Sequence, residues 1–206
     1  GIYNVGSAGM LAYFLNKAGG EITADRVSVG VHNESNSTFD NEGLIKIGTT
    51  AALGGSNPGL YNKGLFNNTA TAEIRVDNVG PSQPGLHHET GTFTNGGKIT
   101  IGITTAIGGT HPNFHNNGTF VNQATGEIRI DYCSEAGFQN SFNGSFTNEG
   151  LLDIGKNVNG GEQGFFNDGT VDNKTTGTIN IDRVANTGSS SNGLYNGFNR
   201  TFTNAG

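Results

Sequence analysis

"GTFTNGGKITIG" (residues 91–102) returns with few changes as "GSFTNEGLLDIG" (144–155) and as "STFDNEGLIKIG" (37–48). Self-similarity of this kind decides a fold before any single motif does. Aligned on F-x-N, the chain yields a column of Phe14, Phe39, Phe66, Phe93, Phe120, Phe146, Val171 and Phe202. Two residues further on stand Asn16, Asn41, Asn68, Asn95, Asn122, Asn148, Asn173 and Asn204, spaced by 25–31 residues. An x-I-x-I stretch follows, with columns Ile22, Ile45, Ile74, Ile99, Ile128, Leu152, Ile179 and Ala24, Ile47, Val76, Ile101, Ile130, Ile154, Ile181. A third stretch opens each unit, as in "GIYN", "GLYN" and "GFFN", with the apolar column Ile2, Val31, Leu60, Leu86, Phe114, Phe138, Phe165 and Leu194.

Each unit thus holds three short segments of period two, separated by Gly and Asn, each with one or two apolar residues on one side. So little apolar surface cannot be buried by one unit alone. Stacking copies in register buries Phe on Phe and Ile on Ile, and lets every strand pair with those above and below. The predicted fold is all-β: a single-stranded parallel β-helix of about seven and a half coils over residues 1–206. At ~4.8 Å per coil its rod would be roughly 35 Å long. A propeller blade needs some 40 residues in four antiparallel strands, which this period does not supply.

A longer period lies on top. The residue after each Ile pair alternates: Asp25, Gly48, Asp77, Gly102, Asp131, Gly155, Asp182. Corner length alternates with it, from "NKAGG", "NTATA" and "NQATG" in Asp coils to "NEG" and "NGG" in Gly coils. The full repeat is therefore a pair of coils, and the echoed phrase marks every second one.

Composition narrows the function classes. The 206 residues include 35 Gly, 13 Phe, no Trp and one Cys, and the formal charge is −6. That charge offers no basic surface to nucleic acid. No apolar run reaches membrane-spanning length, so membrane insertion is not expected. A single Cys precludes an internal disulfide framework, and Cys133 fills a slot held by Val27, Val79 and Val184, as a small apolar side chain would.

Both Asn columns (the other being Asn4, Asn33, Asn62, His88, Asn116, Asn140, Asn167 and Asn196) share the parity of the buried residues. They read as inward ladders of amides, each donating to its neighbour's carbonyl, with His88 breaking one ladder once. The Asp column reads as local Asx-turn caps. His87, His88 and Glu89 are adjacent on a strand and alternate between faces, so they do not converge on an ion. No metal or cofactor motif stands out. Short, regular corners without a paired set of carboxylates argue against an enzyme. N-x-S/T triplets begin at Asn33, Asn36, Asn67, Asn117, Asn143, Asn173 and Asn199, a number that chance alone largely supplies in so Asn-rich a chain.

One outward column is candidate for a binding face: Tyr3, His32, Tyr61, His87, His115, Phe166 and Tyr195, interrupted by Gln139. Aromatic rings one coil apart suit stacking on sugars or packing on a partner, and equally serve as cross-strand contacts that stiffen the sheet.

The phrases "GxFxNxGxIxIG" and "GLYNxG" resemble the repeats of secreted bacterial β-solenoid proteins, among them filamentous-haemagglutinin-like adhesins and the long surface repeat proteins of Bacteroidetes. The resemblance covers the whole chain and implies an extracellular stalk, adhesin or fibre segment. A polysaccharide-binding, or less favoured polysaccharide-cleaving, β-helix is the alternative, with cell-surface or matrix glycans as partners. Gly1 opens a coil directly and "NGFNRTFTNAG" stops before its Ile strand. The expectation is a segment of a longer array, or a subunit that stacks end to end on copies of itself.

Overall fold

The computed structural model describes residues 1–80, 83–104, 111–132, 135–155, 163–182 and 192–206. Its strands fall into three parallel sheets, two of eight strands and one of seven, with strands of successive coils as neighbours in every sheet. This is a β-solenoid of about 7 turns. One coil runs Leu86–His88, Thr92–Asn95, Lys98–Ile101, contributing one strand to each sheet in turn. The register matches the sequence columns residue for residue: Phe66, Phe93 and Phe120 are direct partners, as are Ile74, Ile99 and Ile128.

The apolar columns form one continuous core along the axis. Side-chain volume is balanced within each coil. Where the first sheet supplies Val31, Leu60 or Leu86, the Phe column stacks flat: Phe39–Phe66 and Phe66–Phe93 have centroids 4.7 and 4.5 Å apart, at 4° and 12°. From Phe114 onward the first sheet also supplies Phe, and the rings turn out of the flat stack, with Phe114 edge-on to Phe120 at 4.9 Å and 75° and Phe138 tilted against Phe146 at 4.7 Å and 42°. Beside Phe165 the Phe column carries Val171, both fully buried, which accounts for that one departure from the column.

The Asn ladders line the core at two corners. Asn16, Asn41, Asn68, Asn95, Asn122, Asn148, Asn173 and Asn204 are joined by Nδ2–H donating to the next Oδ1 at 2.7–2.8 Å. The same Nδ2 also donates to a backbone carbonyl at the start of the third strand one coil on, as Asn68 does to Lys98 at 3.3 Å and Asn122 to Leu151 at 3.2 Å. One amide therefore fixes both the rise from coil to coil and the bend from one sheet to the next.

The two-coil period has a different cause from the one expected. Asp25 does not cap its own turn. Its carboxylate accepts from Thr50 Oγ1 at 2.6 Å and Thr50 N at 3.3 Å in the following coil, and Asp77 accepts from Thr104 N at 3.1 Å. What makes this reach possible is the glycine at the equivalent place of that next coil. Gly48 and Gly102 have φ of 64° and 65°, a left-handed turn that L side chains resist. Two residues after each glycine the backbone N–H faces the carboxylate of the coil before. Asp and Gly alternate because they are two halves of one contact. The Asp coils also close their second corner with a β-turn, Ala72 N on Thr69 O and Gly126 N on Gln123 O, both absent from the shorter Gly-coil corner. Asp131 also accepts from Arg129 Nε at 2.9 Å. Val27 and Val79 pack on the core, whereas Cys133 and Val184 lie outside the described residues.

Phe93 sits mid-rod with a fully buried ring between Phe66 and Phe120. Phe93→Ala should destabilise the protein by about 3–5 kcal/mol in urea melts. A loss near zero would mean that the Phe column does not carry the core.

Candidate aromatic groove on the first sheet

The outward column of the first sheet is bordered by segments that leave the third sheet and start the next coil. Val29, Asn57, Pro58 and Gln83 from three such segments stand beside His32, Tyr61 and His87 and enclose a groove of ≈ 300 Å³. The seven candidates therefore divide. Tyr3 and Tyr195 are exposed, while His32, Tyr61, His87, His115 and Phe166 are half-buried. Tyr3, His32, Tyr61, His87 and His115 touch in sequence, with centroids 4.2–5.1 Å apart. Gln139 then intervenes, and Phe166 and Tyr195 form a second, separate stack at 5.0 Å.

Ring orientation decides what the stripe can do. His87 and His115 are stacked at 8°, as are Phe166 and Tyr195, so these rings spend their faces on each other. His32 and Tyr61 meet at 89° and Tyr61 and His87 at 60°. At those angles the rings cannot all stack along the rod, and the groove lies where the stacking breaks. Polar groups ring it: His32 Nε2 is 2.9 Å from Glu34, Lys63 is 3.6 Å from the same carboxylate, and Lys63 Nζ lies 5.2 Å from the Tyr61 centroid. His87 Nε2 is 2.8 Å from Glu89 Oε2, close in distance but at an angle that makes no hydrogen bond. Burial, and then the neighbouring His115, hold the His87 imidazole down at about 3. It is neutral at physiological pH.

His88 faces the other way, fully buried among Phe93 and Phe120. Its replacement of Asn is nearly complete. Asn62 Nδ2 donates to Nδ1 at 3.0 Å, which stands in for an Oδ1. Nε2–H donates to Thr119 O at 3.0 Å, the same corner bond that Asn33 makes to Leu65 O and Asn140 to Thr170 O. The imidazole has no second N–H for the axial direction. Asn116 Oδ1 is accordingly buried with no donor. The ladder resumes with Asn116 donating to Asn140 at 2.8 Å. The ring also takes the space a side chain would need at Gly118, whose Cβ would stand 2.6 Å from Nε2. Burial pushes the His88 pKa down to about 4, and a proton on Nδ1 would confront the Asn62 amide.

The parity argument for His87 and His88 holds, and among the described residues no three His, Cys, Asp or Glu side chains converge. Of the glycosylation triplets, Asn33 and Asn173 belong to the buried ladders. A hollow over the third sheet, around Thr100, was not foreseen. Its signal was present in the outward residues between the Ile columns, where Lys46, Arg75 and Arg129 surround Thr100. Comparisons with protein-family models, with curated proteins and with solved structures find no match for this chain.

The His88 geometry sets an acid response. Above pH 6.5 the residue is neutral whether folded or unfolded and costs nothing. Below it the unfolded chain takes a proton that the folded one refuses, so stability falls by about 1.4 kcal/mol per pH unit until the folded value near 4 is reached. Between pH 7 and pH 5 the wild-type chain should lose about 2 kcal/mol more than His88→Asn, measured by urea unfolding at both pH values. Equal losses would show that His88 is not the group responsible.

Proposed function

We propose that this chain is a non-catalytic rod that acts outside the cell, as a structural and adhesive segment of a bacterial surface or secreted protein. The observation that carries the reading is the register of three sheets kept from coil to coil, accompanied by two side-chain ladders of which one lapses once, at His88. Such an object is stiff along its axis, and its outer faces are free to vary. Resemblance of the repeat phrases to adhesin-type solenoid repeats supports the extracellular setting. Growth along the axis uses the same contacts as the interior, so its natural partner is a further coil, in the same chain or in another copy. The charge of −6 disfavours nucleic acid.

A second reading, a glycan-binding β-helix, is favoured by one feature: the groove at His32, Tyr61 and His87, where aromatic rings leave their stack beside Asn57, Gln83 and paired charges. Sugars present apolar faces and hydroxyl edges, which rings and amide or carboxylate groups receive. Retention of the protein on a panel of immobilised neutral polysaccharides tests both readings. Binding without release of reducing sugar, weakened about tenfold by Tyr61→Ala, supports an adhesive groove; tenfold corresponds to about 1.4 kcal/mol. Release of reducing sugar would overturn the non-catalytic reading. If nothing is retained and the protein forms no longer assemblies at high concentration, neither adhesion nor end-to-end growth stands.

A further inference from the structure

Six Asn–Gly pairs stand in the sequence: Asn95–Gly96, Asn117–Gly118, Asn143–Gly144, Asn159–Gly160, Asn192–Gly193 and Asn196–Gly197. In each, the backbone nitrogen of the glycine can close a ring on the side-chain carbonyl carbon of the asparagine, and no Cβ shields that nitrogen. The sequence alone makes the pairs equivalent. The structure separates them, apart from Asn159, which lies outside the described residues.

Two pairs are held at both reacting ends. The buried amide of Asn95 donates to Asn122 Oδ1 at 2.8 Å, and Gly96 N donates to Asn68 O at 2.8 Å. Asn196 accepts from Asn167 at 2.7 Å and donates to Arg200 O at 3.1 Å, while Gly197 N donates to Asn167 O at 2.7 Å. Asn192 and Gly193 lie inside a paired strand. Asn143 is exposed at a corner tip, but the nitrogen that would attack it is engaged: Gly144 N donates to Ser141 O at 2.7 Å.

Asn117–Gly118 differs at both ends. The pair lies between two strands, after Asn116 and before Thr119, and Asn117 is half-buried. Its side-chain amide has no hydrogen-bond partner among the described residues. The backbone N–H groups on either side are bonded, Asn117 to His88 O at 2.7 Å and Thr119 to Gly91 O at 3.1 Å, whereas that of Gly118 is not. In the equivalent corner two coils on, Gly169 N donates to Asn167 Oδ1 at 3.1 Å. The corresponding acceptor here, Asn116 Oδ1, is buried with no donor, so that bond is not made. Both gaps lie against His88. Its ring gives Asn116 Oδ1 no ladder donor, and it leaves no room for a side chain at Gly118, whose Cβ would stand 2.6 Å from Nε2. The packing that admits His88 therefore keeps the least hindered nitrogen directly after Asn117.

We infer that Asn117 is a modification site, converted in the folded rod to aspartate and isoaspartate by spontaneous deamidation. Gly118 N gives its proton to solvent and attacks Asn117 Cγ. The N–Cγ bond forms, the Cγ–Nδ2 bond breaks, and ammonia leaves with a proton taken from water. Water then opens the cyclic imide at either carbonyl. The net change is amide plus water to carboxylate plus ammonium, with no oxidant and no enzyme. An N–H that need not first break a hydrogen bond gains about tenfold in rate. The product places a negative charge on the corner between the first and second sheets, and isoaspartate adds a backbone atom beside the glycine that His88 packs against. None of this depends on what the rod binds.

Ageing the folded 206-residue chain in warm, mildly alkaline buffer tests the site, with circular dichroism to confirm that the fold persists. Peptide mapping by mass spectrometry follows each Asn–Gly pair, and labelling by isoaspartyl methyltransferase detects isoaspartate. Asn117 should convert first, at least about tenfold faster than Asn143 or Asn95. In concentrated urea that lead should vanish, because unfolded Asn–Gly pairs are alike. Asn117→Gln, whose longer side chain closes a larger ring slowly, should remove the early conversion and leave the other pairs at their own rates. Faster conversion at Asn143, no conversion at Asn117 while the fold persists, or a lead that is unchanged in urea would overturn the inference.

Discussion

A buried primary amide with two N–H groups and one carbonyl is the constraint on which this rod depends. Apart from Asn196 and Asn204 in the last coil, the ladder asparagines sit in the core, where an unpaired polar group costs on the order of 1–3 kcal/mol. Stacking supplies the remedy only if the coils are in register: Oδ1 then accepts from the coil before, one N–H donates to the coil after, and the other N–H closes the corner on a backbone carbonyl. A strand slipped by two residues keeps its apolar face inward, but it leaves the amides of two coils facing Phe. The apolar columns alone would tolerate such a slip. The amides do not, and so register is fixed by polar groups in an otherwise apolar interior.

His88 shows how narrow that constraint is. Nδ1 and Nε2–H reproduce two of the three bonds an asparagine makes at this place, and the third is missing at Asn116 Oδ1. The substitution survives because the corner bond to Thr119 is kept and because Gly118 leaves room for the ring. Its tautomer follows from the same contacts, with the proton on Nε2. Burial alone would depress the pKa; the fixed amide of Asn62 opposite Nδ1 gives the depression a geometric partner.

Periodicity made the fold legible. The Phe, Ile and Asn columns, read without coordinates, are the partners of the three sheets, because in a stacked solenoid the residue one coil away is the neighbour in space. The Asp–Gly alternation was visible too, yet its meaning was not. A sequence shows that Asp25 ends a strand, but which N–H it receives depends on where a left-handed turn at Gly48 carries the next coil. The aromatic stripe was found by parity and its outward direction follows from it. Its division into stacked and crossed rings rests on side-chain torsions and on the segments beside it, which parity does not encode.

The separation between inward and outward positions explains why such a chain can hold sites at all. Inward residues answer to register, and a large change in their columns is met by a neighbour, as Val171 meets Phe165 in the same coil and Gly118 meets His88 from the next. Outward residues answer to nothing of the kind. The column that reads Lys46, Arg75, Thr100, Arg129 carries three cations and a short hydroxyl side chain without disturbing the Ile columns on either side. A hollow arises there from one small residue among long ones, and it costs the core nothing. In a rod of this kind a hollow is therefore a local departure from the repeat on an outer face, and the aromatic groove at Tyr61 and the hollow at Thr100 both arise in that way.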